Sequence, residues 1–158
     1  MYRHFRSKRV VISLGIIIIV IMVTVSIFFK SRPMFEATDD PLISSLHIEM
    51  NRDGVTSRLD IPENEISDEL SDNLISIFLN TKIRNRLVPP PQTYHISEES
   101  THIIIWVLLN NRSVRVYLCN KPEYNSVQCG DTHYRIINDQ KVYEDVYRLL
   151  SDEKLLSS

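Results

Sequence analysis

The sequence predicts an α+β domain on an antiparallel sheet, preceded by a single membrane-spanning helix. Three observations predict it. Residues 10–29 (VVISLGIIIIVIMVTVSIFF) form an uncharged apolar run of 20 residues. Beyond it, short segments alternate apolar and polar residues between polar turns, the period of half-buried strands. Two further segments instead repeat apolar residues at helical spacing.

The apolar run has the length of a bilayer span, which takes about 20 residues. A lone run in hydrocarbon must be helical, because only a helix satisfies its own backbone there. A cleavable signal peptide has an apolar core of about 7–15 residues closed by a small-x-small site. Here the run is longer, and the nearest such site, Thr24-Val25-Ser26, is followed by bulky Ile27, Phe28 and Phe29. The run therefore reads as an uncleaved anchor. Arg3, Arg6, Lys8 and Arg9 precede it, whereas only Lys30 and Arg32 follow closely. Cytoplasmic flanks carry the excess of Lys and Arg. The expected topology is a cell-membrane protein with residues 1–9 as a basic cytoplasmic tail and the C-terminal part extracytoplasmic.

Residues 30–44, with Pro33, Pro41 and Asp39-Asp40, read as a linker. Residues 45–151 are long enough for one domain with its own core. Residues 152–158 read as a polar tail. All 20 acidic residues lie after Phe29, with 14 of the 18 Lys and Arg, a formal charge of −6 there. That balance argues against nucleic acid, which needs a basic footprint.

Within the domain, Leu46, Ile48 and Met50 alternate with His47 and Glu49. After Asn51-Arg52-Asp53-Gly54, Val55, Leu59 and Ile61 alternate with Arg58 and Asp60, completing a β-hairpin. Residues 66–87 read as one helix. Ser67 is its N-cap, Asp68 and Glu69 suit its first turn, and Leu70, Leu74, Ile75, Phe78, Leu79 and Ile83 form its stripe. Three prolines follow, and residues 94–96 read as a short edge segment. Residues 101–109 are the strongest strand and apolar on both faces, which places it centrally. Asn110-Asn111 is a two-residue turn that pairs Leu109 with Arg112 and Ile105 with Val116. Residues 113–119 form the next strand, and residues 127–137 the last, interrupted at Gly130. Asn138 or Asp139 caps a final helix with Val142, Val146, Leu149 and Leu150 as its stripe. The expected order is β-β-α-β-β-β-α. Asn111-Arg112-Ser113 is a formal glycosylation sequon, read as coincidental.

The layout carries a resemblance. A β-hairpin with an acidic turn precedes DIPENEISDELSDNLISIFLNT, then a three-strand meander, then YRIINDQKVYEDVYRLL. Over roughly residues 45–150 this resembles the small extracytoplasmic domains of unknown function in membrane-anchored proteins and lipoproteins of low-GC Gram-positive bacteria. The resemblance brings no established activity. It implies display outside the membrane, here on a helix rather than a lipidated cysteine.

Cys119 and Cys129 flank the loop between the last two strands. An even count outside the membrane suits a disulfide. Pairing 119 with 129 would set 117 opposite 131 and 115 opposite 133. A redox or metal-binding pair is the alternative, without the close spacing that such sites use. The same register puts Ile104, Trp106, Leu108, Arg115, Tyr117, His133 and Arg135 on one face. An uncovered aromatic patch rimmed with Arg is the composition of a protein-binding surface. The competing expectation is that a helix or the linker covers it.

No catalytic, cofactor or metal motif is present. His47, His95, His102 and His133 lack zinc spacing, and three glycines make no phosphate loop. The expectation is a non-enzymatic membrane protein without cofactor that presents an interaction or accessory domain to a protein partner. A small-ligand or peptide sensor, or a small envelope enzyme near Arg115, His133 and Arg135, are the alternatives.

Overall fold

A strand that is apolar on both faces needs neighbours on both edges, and residues 99–109 have them. The computed structural model describes residues 2–36, 38–52, 55–86, 99–110 and 112–156; side chains are described from residue 13 onward, except at 52 and 99. The chain divides into two units, Met1–Lys30 and Ser31–Ser158.

The first unit is one helix, α1 (Tyr2–Phe28). Its described large apolar side chains, among them Leu14 and Ile16–Val23, are exposed on every side. Thr24 turns its hydroxyl back onto the Val20 carbonyl at 2.8 Å, satisfying the one polar group of that turn. Among the described residues no helix is long and apolar enough to cross a membrane.

The second unit is α+β. Its strands are β1 (Arg32–Pro33), β2 (Leu42–Arg52), β3 (Val55–Pro62), β4 (Lys82–Asn85), β5 (Glu99–Leu109), β6 (Arg112–Cys119), β7 (Ser126–Cys129) and β8 (Thr132–Ile136). Its helices are α2 (Asp68–Leu79) and α3 (Asp139–Asp152), with 3-10 turns at Glu63–Glu65 and Pro122–Tyr124. The strands form one antiparallel sheet in the order β1-β4-β8-β7-β6-β5-β2-β3.

The β5–β6 hairpin has the register read from the sequence: Leu109 faces Arg112, Val107 faces Val114 and Ile105 faces Val116. The β2–β3 hairpin joins β5 on its other side, Leu46 opposite Ile105 and Ile48 opposite Ile103. One face of the sheet thereby collects Leu46, Ile48, Ile61, Ile103, Ile105, Val107, Val114, Val116, Leu118, Val127 and Ile136, all buried. Leu70, Leu74 and Phe78 of α2 and Val142, Val146 and Leu150 of α3 close over that face in one core. Ser67 caps α2 as expected, accepting the Leu70 N–H at 3.2 Å.

Four boundaries differ from the sequence reading. The helix expected over 66–87 stops at Leu79, and its last part is strand β4. Asn80 and Thr81 side chains bond back to the Ser76 and Ile77 carbonyls, both at 2.8 Å, ending the helix. Ile83 fits the helical stripe, but it equally fits the alternation Lys82-Ile83-Arg84-Asn85, and pairing with Ile136 decides the matter. Residues 30–44 are not a bare linker: β1 pairs with β4, Met34 and Phe35 are buried, and Phe35 meets Phe78 edge-on at 6.1 Å. The segment expected as one interrupted strand is a hairpin, β7–β8, turned at Gly130, whose φ is +56°. The tail is not wholly frayed, since Leu156 is buried in the core. Asn138 does precede α3, but at φ 59° and without a side-chain capping bond. The edge segment at 94–96 and residues 87–93 lie outside the described residues.

Phe78 is fully buried and joins α2 to the N-terminal segment through Phe35. Phe78→Ala is expected to cost about 3–5 kcal/mol in urea unfolding. Leu79→Ala, at a side chain 40% exposed, is expected to cost about 1 kcal/mol or less. Equal losses would show that the helix face is placed wrongly.

Candidate functional site

Strand alternation that buries Ile103, Ile105 and Val107 turns Ile104, Trp106 and Leu108 to the other face of the sheet. Both helices are committed to the first face. On the second, Ile104, Trp106 and Tyr117 remain half-exposed and Leu108 is 42% exposed. Leu42 lies opposite Leu108 and is exposed as well, so the apolar band runs from β2 across β5 to β6.

The centre of the face is a cross-strand pair. Trp106 and Arg115 are directly opposite, and the Arg115 guanidinium lies 3.7 Å from the centroid of the indole ring. A planar cation on an aromatic face holds both side chains flat against the sheet. Tyr117, one pair further along β6, donates its hydroxyl to Gln128 Oε1 at 3.0 Å. On the other flank, His47 Nδ1 bonds Asp60 Oδ1 across the β2–β3 pair. Ile104, Trp106, Arg115, Tyr117, His47 and Asp60, with Ser45 and Pro62, line an open groove of about 560 Å³. Its floor is apolar (Ile104, Trp106) and its walls carry one cation, one carboxylate and one imidazole.

All seven residues singled out on the sequence lie on this face, but they do not form one cluster. Ile104, Trp106, Arg115 and Tyr117 line the groove. His133 is reached from Arg115 only across Gln128, two strand spacings or about 10 Å away. Arg135 is held by Asp139 at 3.6 Å. The constellation considered for an enzyme is therefore not assembled at one point. Among the described residues no group of three or more His, Cys, Asp or Glu is placed to hold a metal ion. The sequence reading missed Ser45, His47, Asp60 and Pro62. Their alternation placed them on one side of a hairpin, but nothing in it told that this hairpin docks beside β5.

The disulfide expectation is corrected. Both cysteines are free thiols. The β6–β7 register sets Val114 opposite Cys129 and Tyr117 opposite Ser126, not Cys119 opposite Cys129. The shift is odd, so Cys119 belongs to the groove-bearing face and Cys129 to the helix-covered face. Some five residues of strand, about 17 Å, also separate their positions, well beyond disulfide reach. Asn125 imposes this register. It is fully buried in the β6–β7 loop, and its Oδ1 accepts the Cys119 N–H at 2.6 Å. Its Nδ2 reaches the Asp139 carbonyl at 3.4 Å. The loop is thereby used up in a 3-10 turn, and pairing starts late.

Beyond the groove, His102 faces Cys119 on β6 and Glu49 on β2. Burial lowers the His102 pKa below its usual range; Glu49 opposes that shift and Lys121 adds to it. Burial likewise raises the Cys119 thiol, against backbone hydrogen bonding at Lys121. Tyr143, on the buried side of α3, is pushed up to about 12, chiefly by burial. No protein-family model, curated protein or solved structure matches the chain.

Two outcomes follow from these environments. In folded protein that has seen no reductant, half-buried Cys129 is expected to react with a thiol reagent, and buried Cys119 only after unfolding. Mass spectrometry counts the labels; a chain that accepts none until reduced would contradict the register. The folded His102 favours the neutral form, so the unfolded chain binds more protons below the unperturbed pKa of about 6.5. Its contribution to stability is thus complete above that pH and lost as pH falls through the lowered folded value. His102→Gln is expected to flatten the dependence of unfolding free energy on pH below about 6.5, with the wild type steeper.

Proposed function

We propose that this chain is a membrane-anchored interaction module, held by residues 10–29 and presenting its sheet face to a protein partner outside the cytoplasm. The observation that carries the binding role is the groove-bearing face. It places a tryptophan, a stacked arginine and a tyrosine, each half-buried, together on a face that neither helix covers. Trp, Tyr and Arg are the residues that most often anchor protein interfaces. The Arg115 plane is already ordered on Trp106, so little side-chain freedom is lost when a partner lands.

Anchoring is supported by the uncharged run and by a helix that is apolar all round, which has no face to give to water. The asymmetry of Lys and Arg around it favours the N-terminus inside. The partner is read as a protein surface offering an apolar or aromatic side chain to the Ile104–Trp106 floor, with polar groups meeting Asp60, His47 and the guanidinium edge. The groove is shallow and open, which suits a contact surface better than an enclosed reaction site.

Trp106 is the sole tryptophan, so its emission reports on this face alone. In the free chain, acrylamide is expected to quench it readily, and bound partner to protect it. Trp106→Ala and Arg115→Ala are expected to abolish partner recovery by crosslinking in intact membranes while leaving the unfolding midpoint within a few degrees. Undiminished recovery with both variants, or a C-terminal reporter that is active only in the cytoplasm, would refute the reading.

A further inference from the structure

The outer edge of β3 closes the sheet on one side, and among the described residues nothing pairs with it. It is eight residues long, an unpaired edge of the kind that proteins usually blunt. Its geometry fixes which backbone groups point outward. Pro62 lies opposite Ser45 on β2, and a proline in a sheet keeps its nitrogen on the open side. The N–H groups of Asp60, Arg58 and Thr56, two residues apart in turn, therefore share that outer side. The hairpin gives the same parity: Arg52 and Val55 close a two-residue connection and bond each other, so the even-numbered residues of β3 face out.

From this edge we infer that two copies of the chain associate through antiparallel pairing of β3 with β3, centred on Leu59, giving one continuous sheet. The charges select this register. Arg58 and Asp60 lie on the same face of the strand, two residues apart, and are 65% and 78% exposed. About a two-fold axis at Leu59, each Arg58 stands opposite the second copy's Asp60, twice per dimer. Within each chain Arg58 already pairs with Glu49 at 3.2 Å, and Asp60 with His47. The row across the junction then reads Glu49, Arg58, and the second copy's Asp60 and His47, with opposite charges facing each other at the junction itself. Opposite charges directly across a sheet stabilise it and like charges destabilise it.

The backbone agrees independently with the charges. In this register Arg58 and Asp60 fall on the hydrogen-bonded pairs, and Thr56 meets the second copy's Pro62, which offers only its carbonyl. About six inter-strand hydrogen bonds form, and the missing proline N–H falls at the end of the ladder. A blunting charge protects an edge when copies repel each other. Arg and Asp at this spacing do the reverse for an identical strand paired about Leu59.

The test uses the full chain in mild detergent. Wild type is expected to run as a concentration-dependent dimer by light scattering. Arg58→Asp alone and Asp60→Arg alone each set like charges opposite each other twice, and should weaken self-association roughly tenfold. Mixed in equal amounts, the two variants restore every opposite-charge pair and should form a mixed dimer. In a chain without its native cysteines, Leu59→Cys should crosslink on oxidation, because facing non-hydrogen-bonded residues lie about 4.5 Å apart. The more exposed Val55→Cys should not, being four residues from the axis. A monomer at all concentrations would overturn the proposal. So would a dimer indifferent to both charge reversals, which would place the contact on α1, or crosslinking that favours Val55→Cys.

Discussion

Both helices of the domain pack on the same face of one sheet, and most of the remaining structure depends on that. α2 follows the β2–β3 hairpin and α3 follows β8, from elements on opposite flanks of the sheet. Each helix has one apolar stripe and buries it once. Leu70, Leu74 and Phe78 meet Val142, Val146 and Leu150 over the face built by Ile48, Ile103, Ile105 and Val116. A strand cannot present Ile103 and Ile105 to that core without presenting Ile104 and Trp106 to the reverse side. Packing on one face thus leaves the apolar residues of the other in need of a different solution.

That solution is partly internal. Arg115 covers the Trp106 ring, removing part of the indole from water while its own charge stays accessible. A lysine would not reproduce this, since its ammonium has no plane to lay on the ring. Tyr117 ties its hydroxyl to Gln128, and the His47–Asp60 pair walls the groove on the β2–β3 side. Side chains already held by neighbours make a firm surface, the property that separates a binding face from a merely greasy one. The same face changes character along β5: towards Leu42 and Leu108 it is apolar and exposed, while at its other end His102 faces Cys119, and burial favours the neutral form of both.

Where the sequence was legible, the reason was local. The β5–β6 register followed from a two-residue turn, and the Ser67 cap from its position before Asp68 and Glu69. The two-faced polarity of β5 was visible in HIIIWVLL, and it pointed to Ile104, Trp106, Arg115 and Tyr117. What escaped was set by distant contacts. Ile83 satisfies helical and strand periods alike, and only β8 beside it breaks the tie. Met34 and Phe35 sit among prolines and acids that look like a linker, yet Phe35 fills a gap against Phe78. The cysteine register failed because a hairpin loop was counted by its ends. Buried Asn125 consumes that loop by bonding Cys119 and Asp139, a role that nothing around it in the sequence announces.

The edge and the face are linked by symmetry. Antiparallel pairing of two identical edge strands makes a two-fold axis that runs through the sheet from one face to the other. Both copies therefore turn their helices to one side and their grooves to the other. Asp60 and Pro62, which belong to β3, are also walls of the groove. Pairing at Leu59 would bring the two grooves together across the junction, with the Arg58–Asp60 ladder between them. The sheet face would then be read by a partner in two places at once, and two linked contacts hold far better than one. A shallow, open groove that is weak alone gains strength from that duplication. The same reasoning explains how a long edge can stay unpaired within one chain: its charges are arranged to complement a second copy of itself.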